Sequence, residues 1–291
     1  MGLGDIIKKR RLELGMTQRE LANDICTQAL ISRIEHNEIM PKKDILDQIE
    51  KRLDFQLSEL SIIINLNTTQ HKIDNLIAEI RDYMLKRDYP SIALLMKYNT
   101  TLIKNIKNIN DSSFFQWIEA TLMHQIDGDK EGALHLFEGI QLDELDNELS
   151  IEIKNAIGLI YYQSEDFEVA LQYFSDAIKG LNPNVDFKIR VKVLFNYALT
   201  LEESGENNEA LSVILSGIDI LLEQESLYLL GDFYYTKGFI FNKMNNHLEA
   251  LDNFEVALSI FKIQNNNHFY DYTQMAISDI KNKVHIQEDS K

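Results

Sequence analysis

Apolar side chains recur three or four positions apart over most of the chain, which is the spacing of one face of an α-helix. Near the N-terminus these runs are short and are separated by signals that start and end helices. Thr17, with Glu20 three residues later, forms a capping box that predicts the start of a second helix. Thr27 predicts the start of a third helix, and Asn37 suits the left-handed position that ends it. The first helix is predicted to end near Gly15.

The apolar positions also predict which side of each helix faces a core. They are Leu3, Ile6, Ile7, Leu12 and Leu14 in the first helix, and Leu30, Ile31 and Ile34 in the third. Two further helices, at about 42–52 and 56–64, complete a predicted bundle of five. Because only a tight turn separates the second helix from the third, the predicted fold is a helix-turn-helix domain.

At these residues the chain resembles the lambda-repressor-like family of DNA-binding domains. The resemblance is carried by IKKRRLELGMTQRELA, by SRIE and by DILDQI after Pro41, over about residues 3–63. The chain departs from the family pattern in the turn into the third helix, which commonly contains Gly and here holds Asp24, Ile25 and Cys26. The resemblance implies a salt bridge between Arg10 and Glu35 that ties the first helix to the third.

A helix-turn-helix domain places the start of its third helix in the major groove of DNA. The exposed positions predicted to contact bases there are Gln28, Ala29, Ser32 and Arg33. Gln28 suits adenine, Ala29 suits a thymine methyl, and Arg33 suits a guanine or a phosphate. Gln18 and Thr27, at helix N-termini, are predicted to hold phosphates. The alternative interpretation of Arg33 is a surface ion pair.

The rest of the chain repeats with a period of 40 residues. Gly158, Ala198 and Gly238 are 40 positions apart, and each is followed at matching offsets by a small, a large apolar and a small residue. This spacing is typical of tetratricopeptide repeats, in which small residues let two helices cross closely. Two earlier copies lie upstream, the first a degenerate one at about 73–107. The predicted architecture is all-α, with a superhelix of about five repeats and a capping helix at about 269–284.

Stacked repeats line their concave face with the first helix of each unit. In this register the inward positions include Asn155, Leu159, Tyr162, Asn196, Tyr235, Phe239 and Asn242. Amide side chains can donate to and accept from a peptide backbone, while aromatic rings form pockets for its side chains. The face is therefore predicted to bind an extended peptide. A solvated polar surface is the alternative for Asn155 and Asn196.

Composition agrees with a helical protein, since only 3 Pro and 12 Gly are present. No apolar run approaches the length of a membrane span, and the N-terminus lacks the apolar run of a signal peptide, so the protein is expected to be soluble and cytoplasmic. The single cysteine, Cys26, excludes an intramolecular disulfide and is interpreted as a small buried side chain.

The formal net charge of −17 is at first sight difficult to reconcile with DNA binding. However, residues 1–65 hold 10 basic and 11 acidic side chains, whereas residues 66–291 hold 19 and 35. The acidity therefore belongs to the repeats. Positive charge in the first segment clusters at residues 8–11 and at Arg19, Arg33, Lys42 and Lys43, which predicts one basic face on a near-neutral domain.

No motif predicts catalysis, a metal site or a cofactor, and the chain is predicted not to be an enzyme. Residues 127–138 nearly satisfy the spacing of an EF-hand calcium loop. The repeat register explains the same residues as the turn between two helices and the start of the second helix.

The combination of a lambda-repressor-like domain with tetratricopeptide repeats resembles the PlcR-type regulators, which are quorum-sensing receptors of Gram-positive bacteria, as are the Rgg receptors. The resemblance is carried by MTQRELANDIC leading to SRIE, by NAIGLIY around Asn155 and by FNYA around Asn196. It implies that these two asparagines hold the backbone of a signalling peptide and that Lys86 and Arg87 meet its carboxylate. It also implies a homodimer that binds a palindromic operator in double-stranded DNA and is reoriented by the peptide.

The predicted organisation is a DNA-binding domain at 1–65, a linker at 66–75 that acts as a hinge, and a repeat domain for peptide binding and dimerisation at 73–285. The leading hypothesis is a transcriptional regulator switched by a small peptide. Two alternatives remain open: a repeat scaffold for a protein partner, and a repressor that a protein partner controls.

Overall fold

The computed structural model describes residues 3–39, 41–54 and 57–288, and every regular element in these ranges is helical. The chain divides into two compact units, Met1–Lys104 and Asn105–Lys291. Among the described residues, no helix is long and apolar enough to cross a membrane.

The first unit begins with four short helices. They are α1 (Leu3–Glu13), α2 (Gln18–Ala22), α3 (Gln28–Glu35) and α4 (Lys43–Leu53). Their shared core contains Leu3, Ile7, Leu21, Ala22, Ile31, Ile34, Ile49 and Leu53. Leu12 and Leu14, which were expected on the apolar face of α1, are instead 59% and 42% exposed. The buried residues of α1 recur every four positions at Leu3, Ile7 and Arg11, so Leu12 lies outside this stripe, and Leu14 lies beyond the end of the helix.

The predicted start of α2, the predicted start of α3 and the predicted end of α3 are confirmed. The backbone N–H of Thr17 donates to Oε2 of Glu20 at 2.6 Å, and the N–H of Glu20 donates to Oγ1 of Thr17 at 3.2 Å, which completes the capping box. Asn37 adopts a φ of 58° after α3. Asp24 adopts a φ of 55° in the turn before α3, so it takes the left-handed conformation for which the family pattern uses Gly.

Helices α1 and α3 approach each other closely at Gly4. A Cβ atom at this position would lie 2.0 Å from the carbonyl oxygen of Ile34, so a larger residue would force the two backbones apart. The side chain of Asn37 strengthens the same junction, because its Oδ1 accepts from the N–H of Gly4 at 2.8 Å.

The next helix, α5 (Leu57–Lys86), is continuous for 30 residues. It covers residues 57–64 of the short fifth helix expected at 56–64, whose first residue lies outside the described residues, and it covers the linker expected at 66–75, so the predicted linker is helical. The polar Asn and Thr residues of this segment had suggested a hinge. They disfavour a helix by less than about 1 kcal/mol each, and no Gly or Pro interrupts the segment.

The C-terminal half of α5 packs against α6 (Tyr89–Tyr98), and α7 (Thr100–Lys104) follows. The buried residues of this packing include Ile73, Ile80 and Ile92. This pair of helices occupies the position of the degenerate first repeat.

The second unit stacks antiparallel helix pairs. The pairs are α8 (Ile109–Asp127) with α9 (Lys130–Glu138), α10 (Asn147–Gln163) with α11 (Phe167–Ile178), α12 (Phe187–Glu203) with α13 (Asn207–Glu223), and α14 (Leu230–Lys243) with α15 (His247–Ile263). A short 3₁₀ helix, Leu142–Glu144, precedes α10, and α16 (Asn267–Glu288) packs on α15 as the predicted capping helix.

The 40-residue period is constant, but successive repeats divide it differently between the second helix and the connection that follows it. Helix α11 has 12 residues and is followed by a long connection, whereas α13 has 17 residues and is followed by a shorter one. In three of these pairs, the residues that cross are matched in size. Gly158 faces the ring of Phe174 and Gly238 that of Phe254, while the third pair combines Ala198 with the smaller Ile214.

Candidate functional site

The predicted base-contacting residues share the outer face of α3. Gln28, Ala29 and Arg33 are exposed and Ser32 is half-buried, whereas Ile31 and Ile34 on the opposite face are fully buried. Thr27 begins the helix, with its Oγ1 accepting from the N–H of Leu30 at 3.3 Å. Its hydroxyl proton remains available to a phosphate oxygen. This arrangement presents the side chains that a reading helix needs.

Arg33 does form a surface ion pair. Its Nε lies 3.4 Å from Oε2 of Glu38, and the two side chains are 58% and 56% exposed. A pair with this exposure contributes less than about 1 kcal/mol, so a phosphate or a guanine edge can replace Glu38 at little cost.

The expected salt bridge between α1 and α3 uses Arg11 and not Arg10. Nε of Arg11 lies 2.6 Å from Oε1 of Glu35 and Nη2 lies 3.0 Å from Oε2, with the two side chains 7% and 0% exposed. Arg10 pairs instead with the exposed Glu13. The reason is geometric, because position 11 lies one helical turn after the buried Ile7. Arg11 is therefore part of the core and does not contribute to the predicted basic face.

Gln18 also takes part in this buried network. Its Nε2 donates to Oε2 of Glu35 at 2.8 Å. Burial alone would raise the pKa of Glu35, but the hydrogen bonds from Arg11 and Gln18 outweigh it and the pKa is lowered. The predicted phosphate contact of Gln18 stays a prediction, since its amide nitrogen already has a partner.

In the second unit, the first helices of the pairs form one layer. Helix α10 contacts both α8 and α12, and α12 contacts α14. The second helices meet the first helix of their own pair and of the next pair, as α11 does with α10 and α12. We call the layer of α8, α10, α12 and α14 the inner layer, because closer spacing on one side of a stack puts that side on the inside of its curve.

Asn155 and Asn196 lie side by side on this inner layer. Nδ2 of Asn196 donates to Oδ1 of Asn155 at 2.8 Å, which joins α10 to α12. Asn155 is only 5% exposed and Asn196 is half-buried. A peptide in the groove would therefore meet Asn196 first, whose own carbonyl oxygen has capacity to accept a backbone N–H.

The other predicted groove residues follow the same layer toward its end. Leu159, Tyr162, Tyr235 and Asn242 are half-buried, and Phe239 is 40% exposed. The ring of Tyr235 packs 5.2 Å from that of Phe254. Burial is the main reason that the pKa values of Tyr162 and Tyr235 are raised, so both hydroxyls stay protonated donors at neutral pH.

Lys243 was expected at an inward position of the repeat register, but its pairing with Glu202 was not predicted. Glu202 of α12 accepts a hydrogen bond from Lys243 of α14, and the Glu202 side chain is only 4% exposed. The repeat register could have identified Glu202 as an inward residue. It stands 40 positions after Tyr162 and 40 before Asn242, and both of these residues were predicted to face the groove.

Lys86 and Arg87 lie in the first compact unit, at the end of α5. Nζ of Lys86 is 2.5 Å from Oδ2 of Asp82, and the hydrogen bond to Asp82 raises the pKa of Lys86. Arg87 is exposed and has a φ of 54°. Their contact with a peptide carboxylate stays a prediction.

The segment with EF-hand-like spacing forms the turn that the repeat register predicts. Gly128 ends α8 with a φ of 69°, and Oδ1 of Asp129 caps α9 by accepting from the N–H of Gly132 at 2.8 Å. Within the part of the chain that the structure describes, no three His, Cys, Asp or Glu residues are grouped to hold a metal ion.

Two family models match the chain. The model described as "RNPP family C-terminal domain" matches residues 78–283, and the model described as "Helix-turn-helix" matches residues 7–60. No curated protein sequence matches at a significant level.

Solved structures share the fold over nearly the whole chain. Bacillus thuringiensis PlcR in complex with the peptide PapR7 and DNA is 22% identical, with a TM-score of 0.65 over 93% of this chain and 98% of that one. The apo form of PlcR, also 22% identical, gives 0.68 over 94% and 98%. The apo form of ComR from Streptococcus vestibularis is 16% identical and gives 0.56 over 95% and 97%.

Proposed function

Because this chain belongs to the RNPP family, we propose that it is a DNA-binding transcriptional regulator whose activity is switched by a short signalling peptide. The observation that carries the proposal is the joint presence, in one chain, of an exposed reading face on α3 and an inner layer lined by amides and aromatic rings. PlcR, which shares this fold, has been solved with both a peptide and DNA bound.

The peptide is held in the groove of the inner layer. Asn196 meets the peptide backbone, with Asn155 behind it, while Leu159, Tyr162, Tyr235 and Phe239 supply apolar surface. Four neighbouring helices at roughly 9 Å spacing span an extended peptide of about eight residues.

Two copies of the chain act together on DNA. A homodimer bound to a palindrome must place its two α3 helices about 34 Å apart, one turn of the double helix. Peptide binding changes the curvature of the repeats, which changes that separation and hence the affinity for the operator. A regulator of this kind works where the DNA is, in the bacterial cytoplasm.

A selection experiment tests the DNA-binding half of this proposal. The full chain is incubated with a random double-stranded DNA pool, with and without a pool of synthetic peptides of about eight residues. We expect a palindromic sequence to be enriched and its binding to weaken as salt rises. Failure to enrich any sequence under either condition would contradict the proposal and favour a scaffold for a protein partner.

A further inference from the structure

Glu202 is a carboxylate held almost entirely out of water on the inner layer. Its side chain is 4% exposed, and a buried carboxylate is stable only with a cation or several hydrogen-bond donors beside it. The cation here is the ammonium group of Lys243, which comes from the next repeat.

Lys243 is held much less firmly than the group it neutralises. Its side chain is 44% exposed and ends a flexible four-carbon stem. The ammonium also lies 5.5 Å from the centre of the ring of Phe239, which is itself 40% exposed. A buried acceptor and an open aromatic face together make a site for a cation, which a side chain of the protein now fills.

The surroundings of this site are negative. Glu203 follows Glu202 and is exposed. Tyr162 lies on the neighbouring α10. Burial is the largest cause of the raised pKa of its hydroxyl, and the negative charges of Glu203 and Glu202 raise that pKa further. Two carboxylates against one ammonium favour a second cation over an anion.

We propose that Glu202 and Phe239 form a subsite for an ammonium group of the bound peptide, and that this group displaces Lys243 when the peptide binds. This inference rests on the proposed peptide-binding function. It specifies which chemical group of the peptide is recognised where α12 and α14 meet. Glu202 is the acceptor, Phe239 is the aromatic face, and Lys243 occupies the subsite in the free protein. The ammonium group can come from the N-terminus of the peptide or from a lysine side chain.

The test uses three synthetic peptide pools of about eight residues. The first lacks Lys, Arg and His and has free N-termini, so that its only ammonium is the α-amino group. The second is the same pool after N-acetylation. The third is acetylated and carries one Lys at varied positions. Peptides retained by the immobilised full chain are quantified by mass spectrometry.

For the unmodified protein we expect the pool with free N-termini to be retained about tenfold more than its acetylated counterpart, the effect of one charge-assisted hydrogen bond. If the third pool is the one that exceeds the acetylated pool, the ammonium is that of a lysine side chain. Equal retention of all three pools would overturn the subsite but leave peptide binding in the groove intact. Retention of none would contradict the peptide-binding function, and the subsite with it.

Three variants locate the effect. Glu202→Gln keeps the size of the side chain and an acceptor for Lys243. It should bring the ratio of retained peptide with a free N-terminus to retained acetylated peptide close to one. Glu203→Gln, the same change at the exposed neighbour, should leave most of the preference. Lys243→Met removes the internal competitor and should raise the ratio. Because the ratio does not depend on the fraction of folded protein, a lowered ratio in Lys243→Met would contradict displacement.

Discussion

Two adjacent arginines of α1 have different environments, and the difference decides what each contributes to stability. The guanidinium of Arg11 lies in the core against Glu35, while Arg10 lies at the surface beside Glu13. A buried charge without its partner is strongly destabilising, whereas an exposed pair contributes little.

Removing the buried partner should therefore be costly. Arg11→Met leaves Glu35 charged and unpaired, and we expect the four-helix domain to lose about 3–5 kcal/mol of its free energy of unfolding. The matched control, Arg10→Met, should cost no more than about 1 kcal/mol. Hydrogen exchange of the amides of α1, α3 and α4 in the full chain measures both. Similar losses from the two substitutions would show that the buried pair has no special role.

The same pair predicts how stability depends on pH. The folded pKa of Glu35 lies below its ordinary value of 4.5, so the carboxylate stabilises the fold fully above that value and ceases to do so as pH falls through the folded pKa. In Arg11→Met, burial without a cation should instead raise the pKa of Glu35. Protonation then relieves the variant on acidification, so its deficit relative to the unmodified protein should shrink between about pH 7 and pH 4. A constant deficit would contradict this explanation.

Substitutions of two glutamines should have separate effects, one on the recognition of DNA bases and the other on the stability of the domain. Gln28→Ala removes an exposed side chain and should lower discrimination at one base pair by about 1–3 kcal/mol, with no change in stability. Gln18→Ala removes a donor to the buried Glu35 and should lower stability by about 1–3 kcal/mol, while leaving base preference unchanged. Binding titrations with single-base operator variants and thermal unfolding report the two effects. A loss of base preference in Gln18→Ala would show that it does read or position DNA.

The helix caps and the exposed face of α3 were predicted correctly from the sequence, whereas Leu12 and Leu14 were wrongly placed on the buried face of α1. The capping box at Thr17, the left-handed Asn37 and the exposed face of α3 follow from local rules, which the structure confirms. The choice between Arg10 and Arg11 requires the helix phase to within one residue, and the family resemblance did not supply it. The Glu202–Lys243 pair joins side chains 41 positions apart and depends on how two repeats stack.

Helix pairs in the second unit pack through matched volumes. Where the first helix has Gly158, the second has the large Phe174, and where it has Ala198, the second has the smaller Ile214. A Cβ atom on Gly158 would lie 2.7 Å from the Phe174 ring, which is closer than van der Waals contact. The period of 40 residues predicted these positions, because small residues are required where helices cross.

Substitution at this crossing tests the match. Gly158→Ala should lower the free energy of unfolding by about 1–2 kcal/mol, since overpacking outweighs the better helix propensity of Ala. Combining it with Phe174→Ile reproduces the pair found in the next repeat and should recover part of the loss. Urea denaturation of both single variants and the double variant gives their coupling energy. The control is Gly139→Ala at the exposed end of α9, which should be nearly neutral; additive losses at 158 and 174 would argue against matched volumes.

The element that the sequence predicted least well is α5. Its Asn- and Thr-rich segment suggested a break between two domains, but the helix continues through these weak formers, because tertiary packing gives a helix support that local propensity lacks. Local composition does not contain that support, which for the C-terminal half comes from packing against α6. The domain boundaries at 65 and 73 therefore stay predictions.

In the whole molecule, net charge is distributed unequally between the DNA-binding segment and the repeats. The net −17 belongs almost entirely to residues 66–291, so the reading domain is near neutral while the repeats are acidic. A near-neutral domain gains little from nonspecific attraction to phosphates, so affinity must come from base contacts and from the spacing of two α3 helices. We propose that the repeats control the affinity for DNA through that spacing.

The most direct test measures the affinity of the full chain for its selected palindrome, by fluorescence anisotropy, with and without a peptide that the groove retains. We predict that the peptide changes the dissociation constant by about tenfold or more, and that Asn196→Ala abolishes the change. The same dissociation constant with and without bound peptide would show that the peptide does not control DNA binding.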